Sequence, residues 1–394
     1  MKAGWQTKTL GDVLEKTETV NPLQSPETEF DYIDVSSVSN TTFQVEQTQR
    51  LKGKDAPSRA RKLVKTDDVI FATIRPTLRR IAIVPPHLDK QVCSTGYFVL
   101  RPKPFLDHRF MYYWLFAEEF MGQMEALQKG ASYPAVTDKE VRDQAIPFPS
   151  LPEQQRIVTL LDEAFDGIAT ARANAEQNLQ SARALFESHL QSVFTQQGDG
   201  WISTTIGNSC ILKSGTTVPV SIEKSSGDIP YVKVAEMTLP DNQDGITTSI
   251  RFLNRADVKA GWLIPAGAVI FPKRGGAILT NKKRLALVDM CADLNIMSVI
   301  PTAKLTPEFL YFYFLTVDMR KLGTGSSIPQ INNYDIAPLE IAFPDSTRKQ
   351  AEIADSIRSL ESECQALESI YHRKIAALDD LKKSLLHQAF AGLL

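Results

Sequence analysis

The sequence is poor in cysteine, with four in 394 residues (Cys93, Cys210, Cys291 and Cys364), and none of them is close to another. That excludes a paired-thiolate zinc site and a disulfide scaffold, and a reducing cytoplasm is the expected setting. No apolar run approaches the ~20 residues that a membrane-spanning helix needs. The opening MKAGWQTKTLGD lacks the apolar segment of a secretion signal, so no membrane association is expected. An excess of one charge is missing too: 44 basic residues face 46 acidic ones, a net charge of −2. The molecule is no polycation, and any nucleic-acid contact must come from local basic patches.

What is present is a chain written twice. At 394 residues and 43% hydrophobic composition, two or more folded domains are expected. WQTKTLGDV from Trp5 answers to WISTTIGNS from Trp201, and YIDVSSV from Tyr32 to YVKVAEM from Tyr231. DDVIFATIRPTLRRIAIV parallels GAVIFPKRGGAILTNKKRLALV, and CSTGYFVLRP parallels CADLNIMSVIP. FMYYWLFA matches FLYFYFLT, and GASYPAVTDKEVRDQAIPFP matches GSSIPQINNYDIAPLEIAFP. The offsets all lie between 195 and 200 residues. Six matches in one order indicate a duplication.

Each copy runs through short alternating apolar stretches that read as strands, then an aromatic-rich segment, a glycine-serine loop, a last strand and a proline. A long helix follows each proline. Residues 153–197 contain no proline and only Gly167. Ile157, Leu161, Ala164, Ile168, Ala171 and Ala175 recur there at three-four spacing. The distal run repeats the rhythm at Ile353, Ile357, Leu360, Cys364, Leu367, Tyr371, Ile375, Leu378, Leu381 and Leu385. Such a narrow seam is the pattern of a coiled coil. About 45 residues at 1.5 Å each make a rod of roughly 65–70 Å, more stripe than one domain covers. The expected partner of each helix is the other, antiparallel, with two similar globular heads at opposite ends of one rod.

On the half-chain repeat, PFPSLPEQQRIVTLLDE, GDIPYVKVAEM and GTGSSIPQINNYDIAPLEIAFPD, the chain resembles, over its full length, the specificity subunit of a type I restriction-modification system. The resemblance implies an α+β fold. Two duplicated, mixed α/β target recognition domains (1–151 and 199–345) would be separated by two long helices (152–198 and 346–394), packed as a pseudo-two-fold antiparallel coiled coil. It implies a non-catalytic DNA reader without a cofactor. Each domain would take one half of a bipartite double-stranded target, and the helices would set the spacer. The partners implied are two methyltransferase subunits and outer restriction-translocase subunits. Glu153, Gln154, Gln155 and Gln350, at the helix starts, are the expected partner contacts. The distal start, DSTRKQAEIADSI, keeps Gln350 but lacks the Leu-Pro-Glu-Gln of the first copy.

DNA contacts are expected first in the turns between apolar strands: Arg75, Arg79 and Arg80 in one copy, and Lys273, Arg274, Lys282, Lys283 and Arg284 in the other. Arginine grips guanine O6 and N7 bidentately, and Gly275 and Gly276 let the backbone approach a phosphate. The glycine-serine loops come second, with Lys129, Ser132 and Tyr133 in the first, and Ser326, Ser327, Gln330, Asn332 and Asn333 in the second. Amide side chains suit adenine edges; a turn chosen only for tightness is the competing reading. The run from Arg50 to Lys65, including Lys52, Lys54, Arg59 and Arg61, has no counterpart in the second copy. It is either a phosphate contact peculiar to the first head or a solvated loop. The aromatic runs are read as core helices rather than base-stacking platforms.

Enzymatic motifs fail on inspection. DIPY at 228–231 resembles the Asp-Pro-Pro-Tyr of amino-group DNA methyltransferases, but departs at its second position. The Gly323-Thr324-Gly325 run precedes a serine loop rather than opening a helix, and no Walker loop occurs. The histidines (His87, His108, His189, His372 and His387) lack metal-binding spacing. Two further readings are a coiled-coil scaffold with protein-binding heads and a stand-alone nucleic-acid enzyme.

Overall fold

The computed structural model describes residues 4–198, 200–322 and 329–394. The chain divides into two compact units, Met1–Glu176 with Arg373–Leu394, and Gln177–His372. No helix among the described residues is long and apolar enough to cross a membrane.

In unit 1 the elements are β1 (Gln6–Thr9), α1 (Leu10–Val13), β2 (Glu29–Ile33), β3 (Gln49–Lys52), β4 (Ala60–Leu63), β5 (Val69–Ala72), β6 (Ile81–Ile83), β7 (Val92–Ser94) and β8 (Tyr97–Leu100). Then come α2 (His108–Trp114), α3 (Glu118–Leu127), α4 (Asp138–Arg142), β9 (Ala145–Phe148) and the long α5 (Leu151–Thr195), which belongs to unit 1 as far as Glu176 and to unit 2 from Gln177. They form sheets of order β3-β2-β7-β4 and β6-β5-β8, with β1 and β9 paired separately. β5 is buried throughout and reads as an unbroken apolar run. The aromatic segment forms α2, whose Phe110, Met111, Tyr113 and Trp114 are buried in the core, as expected from its composition.

Unit 2 repeats the plan with β10 (Trp201–Thr205), α6 (Ile206–Ser209), β11 (Cys210–Ser214), β12 (Ile229–Val232), β13 (Phe252–Leu253), β14 (Val269–Pro272), β15 (Arg284–Leu285), β16 (Cys291–Ala292) and β17 (Ile296–Pro301). α7 (Pro307–Thr316), α8 (Asn333–Ile336), β18 (Glu340–Pro344) and the long α9 (Thr347–Phe390), whose residues from Arg373 belong to unit 1, follow. Its sheets run β13-β12-β16 and β11-β17-β14-β15, with β10 on β18. The parallel pairing of β2 with β7 recurs as β12 with β16, and Phe309, Phe312 and Phe314 of α7 are fully buried.

Inside each unit the two long helices run antiparallel. In unit 1, Arg156 Nη2 donates to Leu394 O at 2.8 Å and Arg172 pairs with Asp379, so position rises on one helix as it falls on the other. In unit 2, Arg183 reaches Glu368 at 2.9 Å, and Leu190 packs with Ala354 and Ile357. The seam is shifted from the expected one. Leu367 and Leu381 are 39% and 45% exposed, while Glu361, Glu368 and Lys382 take the neighbouring inward positions. The row Ile357, Cys364, Tyr371, Leu378 and Leu385 is common to both registers, so apolar spacing alone left the alternate row undecided. Aromatic and ionic partners decide it. The Lys382 ammonium lies 4.9 Å from the centre of the Phe165 ring and 5.5 Å from that of Phe43. Burial lowers the Lys382 pKa.

One glutamine fastens each head to its helix. Gln154 is 0% exposed; its Oε1 accepts from Asp107 N at 2.8 Å, and its Nε2 donates to Phe105 O at 3.1 Å and Pro149 O at 2.9 Å. Gln350, also 0% exposed, accepts from Thr306 N at 2.8 Å and donates to Lys304 O and Pro344 O, both at 2.8 Å. The expectation that Gln154 and Gln350 contact partner subunits is therefore corrected. A buried amide with its bonding groups engaged has no surface to offer. Gln155 is exposed, and Glu153 forms an ion pair with Arg156 at 2.8 Å.

Candidate nucleic-acid interface

The same backbone lattice holds one turn and one loop together in both units. In unit 1, Thr73 N donates to Gly96 O, Arg75 N to Pro134 O at 2.6 Å and Val136 N to Thr73 O at 2.9 Å. In unit 2, Lys273 N donates to Asn295 O, Gly275 N to Pro329 O and Ile331 N to Lys273 O, each at 2.8 Å. Ile74 bridges Ala135 as Arg274 bridges Gln330. The turn after β5 or β14 and the loop before α4 or α8 thus form a single surface in each unit. Arg75 (φ 50°) and Gly275 (φ 67°) hold equivalent left-handed positions.

The basic residues are less alike than their spacing suggested. β5 pairs Phe71 with Ile81, while β14 pairs Ile270 with Arg284. Arg79 (φ 52°) therefore corresponds to Asn281 (φ 51°), Arg80 to Lys282, and Lys283 to the strand residue Ile81. Lys283 is 3% exposed; its ammonium donates to Val317 O at 2.6 Å and Asn281 Oδ1 at 2.9 Å, and its expected DNA contact is corrected by that burial. Burial pushes its pKa down to about 8. Arg284 donates to Asn242 O and Lys283 O, and Arg80 spends one guanidinium nitrogen on the carbonyls of Val35, Ser36 and Val38. These arginines brace loops.

Lys283 makes a testable pH dependence. Its folded pKa lies below the lysine value of 10.5, so the fold disfavours the ammonium, and unfolding takes up protons between pH 8 and 10.5. Stability should rise with pH across that window, by roughly 3 kcal/mol from this group. Lys273 and Lys282 shift the same way through burial, so K283M should remove part of the rise, read as the wild-type minus variant difference in urea unfolding. Parallel curves for the two proteins would refute the assignment.

The run from Arg50 to Lys65 is largely neutralised. Lys52 and Lys54 both reach Glu27 at 3.1 Å, Arg50 reaches Glu29 and Asp31, Lys62 reaches Asp138, and Lys65 reaches Glu18. Arg61 donates to Ala60 O, leaving Arg59 exposed with no side-chain bond or ion pair among the described residues. Its cationic appearance came from counting one strip of chain while the acids sit on other strips.

Around the paired loops the exposed groups differ. In unit 1, the Arg75 guanidinium lies over the Tyr133 ring, 5.0 Å from its centre, and donates to Ser132 O; Lys129 pairs with Glu140 at 3.1 Å. Glu140 is held down to about 2, mainly by the backbone amide of Thr137. Arg79 lies apart, lining a recess of about 290 Å³ with Phe43, Phe116 and Lys382. In unit 2, Gln330 Nε2 donates to Asn332 Oδ1 at 2.7 Å, and Asn332 Nδ2 to Tyr334 Oη at 2.8 Å. Asn333 and Arg274 are exposed, and Lys273 donates to Ser214 Oγ at 2.7 Å. Ser326 and Ser327 lie outside the described residues. Tyr334, 68% exposed and bonded into this network, was not singled out from the sequence. Its one signal was adjacency to the paired asparagines.

Among the described residues no His, Cys, Asp and Glu cluster fits a metal ion. The four cysteines are buried and unpaired, and burial raises the pKa of each.

Comparison with known proteins places this architecture. Residues 2–179 and 198–376 both match the family described as type I restriction modification DNA specificity domain. The specificity subunit of the MjaIX type I restriction enzyme of Methanocaldococcus jannaschii is 23% identical over 70% of this chain and 67% of its own length. That of the HindI enzyme of Haemophilus influenzae is 28% identical over 34% of the chain and only 30% of its own length. A solved chain from work on assembly and conformational transition of the type I R-M system superposes with a TM-score of 0.87 at 27% identity, covering 99% of this chain and 98% of that one. The HsdS subunit from Thermoanaerobacter tengcongensis follows with a TM-score of 0.71, 27% identity and coverage of 100% and 98%. With most of its length matched in two tandem copies, the chain belongs to the type I restriction modification DNA specificity family.

Proposed function

We propose that this chain is the DNA-reading subunit of a type I restriction-modification complex. Each unit would present its paired turn and loop to one half of a bipartite duplex target. The long helices would fix the unread spacer and receive two methyltransferase subunits, with restriction-translocase subunits outside them. The chain itself would supply recognition and leave the chemistry to those partners.

The observation that carries the reading is the duplicated backbone lattice tying turn to loop, with different exposed polar side chains on it in each unit. A common frame with divergent side chains is what two readers of unlike half-sites require. The binding test is a gel-shift titration of the chain with its modification subunit. Raising salt from about 50 to 200 mM should cost a hundredfold or more in affinity, as counterion release demands of even a modest phosphate footprint. One interrupted sequence should be preferred over random duplex. Salt-independent binding, or none, would favour the protein-binding scaffold.

A further inference from the structure

We propose that Arg75 reads a guanine in the half-site of unit 1, with Tyr133 holding its guanidinium in the reading pose. The inference rests on the DNA-reading function proposed above and assigns one base to one residue.

Charge balance and position together single Arg75 out: Arg59 and Arg79 also lack a carboxylate partner among the described residues, but only Arg75 is tied to the tyrosine loop. Arg50, Lys52, Lys54, Lys62, Lys65, Arg101 and Lys129 each lie within salt-bridge distance of a carboxylate. The Arg80 guanidinium is committed to carbonyls. Arg75 is exposed and has no carboxylate partner among the described residues. Its contacts are the Tyr133 ring at 5.0 Å and one hydrogen bond from Nη2 to Ser132 O at 3.2 Å. Nε and Nη1 make no hydrogen bond among the described residues.

The backbone adds a second observation. Arg75 sits at φ 50°, ψ 57°, where its equivalent in unit 2 is Gly275 at φ 67°. Glycine takes that conformation without strain, and arginine does not. Strain kept at a surface turn calls for a use of the side chain. The amide of Arg75 is held by Pro134 O, so the strained residue and the tyrosine loop are one rigid piece.

The chemistry follows from the shape of the group. A phosphate contact needs a positive charge, which a lysine supplies with less constraint. A planar fork pinned on one face by a ring, with its remaining N–H groups free, matches the two in-plane acceptors of guanine, O6 and N7. Tyr133 is 72% exposed, so its ring serves as a support for the fork rather than as core.

The test is selection from a randomised bipartite duplex library by the full chain co-expressed with its modification subunit. Wild type should select a guanine at one position of one half-site. R75K keeps the charge and loses the fork; it should lose that guanine preference by roughly tenfold to a hundredfold. The other half-site should stay unchanged. R75G, which suits the left-handed backbone, should give the same selective loss and controls for folding. Y133A should weaken the preference and Y133F retain it. If R75K lowers binding to all sequences alike, or selects the same guanine as wild type, the assignment is overturned and Arg75 contacts phosphate or nothing. A wild-type chain that selects no sequence at all would overturn the DNA-reading function as well.

Discussion

Gln154→Ala is expected to destabilise unit 1 by roughly 3–5 kcal/mol, and Gln350→Ala to do the same to unit 2. Each substitution strands one part-buried amide, one part-buried carbonyl and one buried carbonyl, and each unsatisfied group costs about 1–3 kcal/mol where it is shielded from water, with the residual cavity adding to it. Repair by water is limited, because both side chains are 0% exposed. Gln154→Glu should be at least as damaging. The carboxylate keeps the bond from Asp107 N but has no donor for Phe105 O and Pro149 O, and it is buried as a charge. Urea unfolding measures the loss. Hydrogen exchange localises it, with faster exchange at the Asp107 amide in one variant and at Thr306 in the other. A cost under about 1 kcal/mol for both alanine variants would mean that the head-to-helix junction does not depend on these amides.

Replacing residues 1–150 with the corresponding segment of another family member should change one half-site of the selected sequence and leave the other as it was. Discrimination by specific DNA readers is typically 10³-fold or more over random sequence, so the effect is large. The structural reason to expect a working chimera is the chemistry of the junction. Gln154 bonds only main-chain atoms, at Phe105, Asp107 and Pro149. Gln350 makes the same three bonds with Lys304, Thr306 and Pro344, whose side chains are mostly different. A fastening blind to side chains tolerates a new head. β1 and β9 also lie paired, so the segment begins and ends side by side. Altered preference in both half-sites would show that the two readers are coupled, and an unchanged motif would remove the first head from recognition.

The duplication, the apolar strands and both long helices were legible because they rest on local pattern: period-two runs, aromatic segments and a proline before each helix. The charged residues were not, because electrostatic meaning is set across strands. Lys52 and Lys54 face Glu27 on a neighbouring segment, and Lys283 turns inward by the register of β14 on β15. The parallel strings do not give residue-by-residue equivalence; strand pairing sets Arg79 against Asn281 and Arg80 against Lys282. The two glutamines carried a readable signal, the same residue five or six positions after the equivalent proline in both copies. Repetition identified them as important, and burial, which sequence does not report, decided their role. Tyr133 was legible as a loop residue, but its alignment with Arg75 depends on the hydrogen bond from Arg75 N to Pro134 O.

Phe390 of α9 packs its ring 5.1 Å from both Phe110 and Trp114, and Leu386 and Ala389 belong to the same core. That core is complete only once residues 386–390 have been synthesised. The first head translated is thus the last to be completed, reversing the usual order of domain maturation. A chain truncated before residue 386 would hold a finished second head and an open first one, with aromatic surface available to chaperones. Proteolysis of such truncated chains should therefore release fragments of the amino-terminal half first.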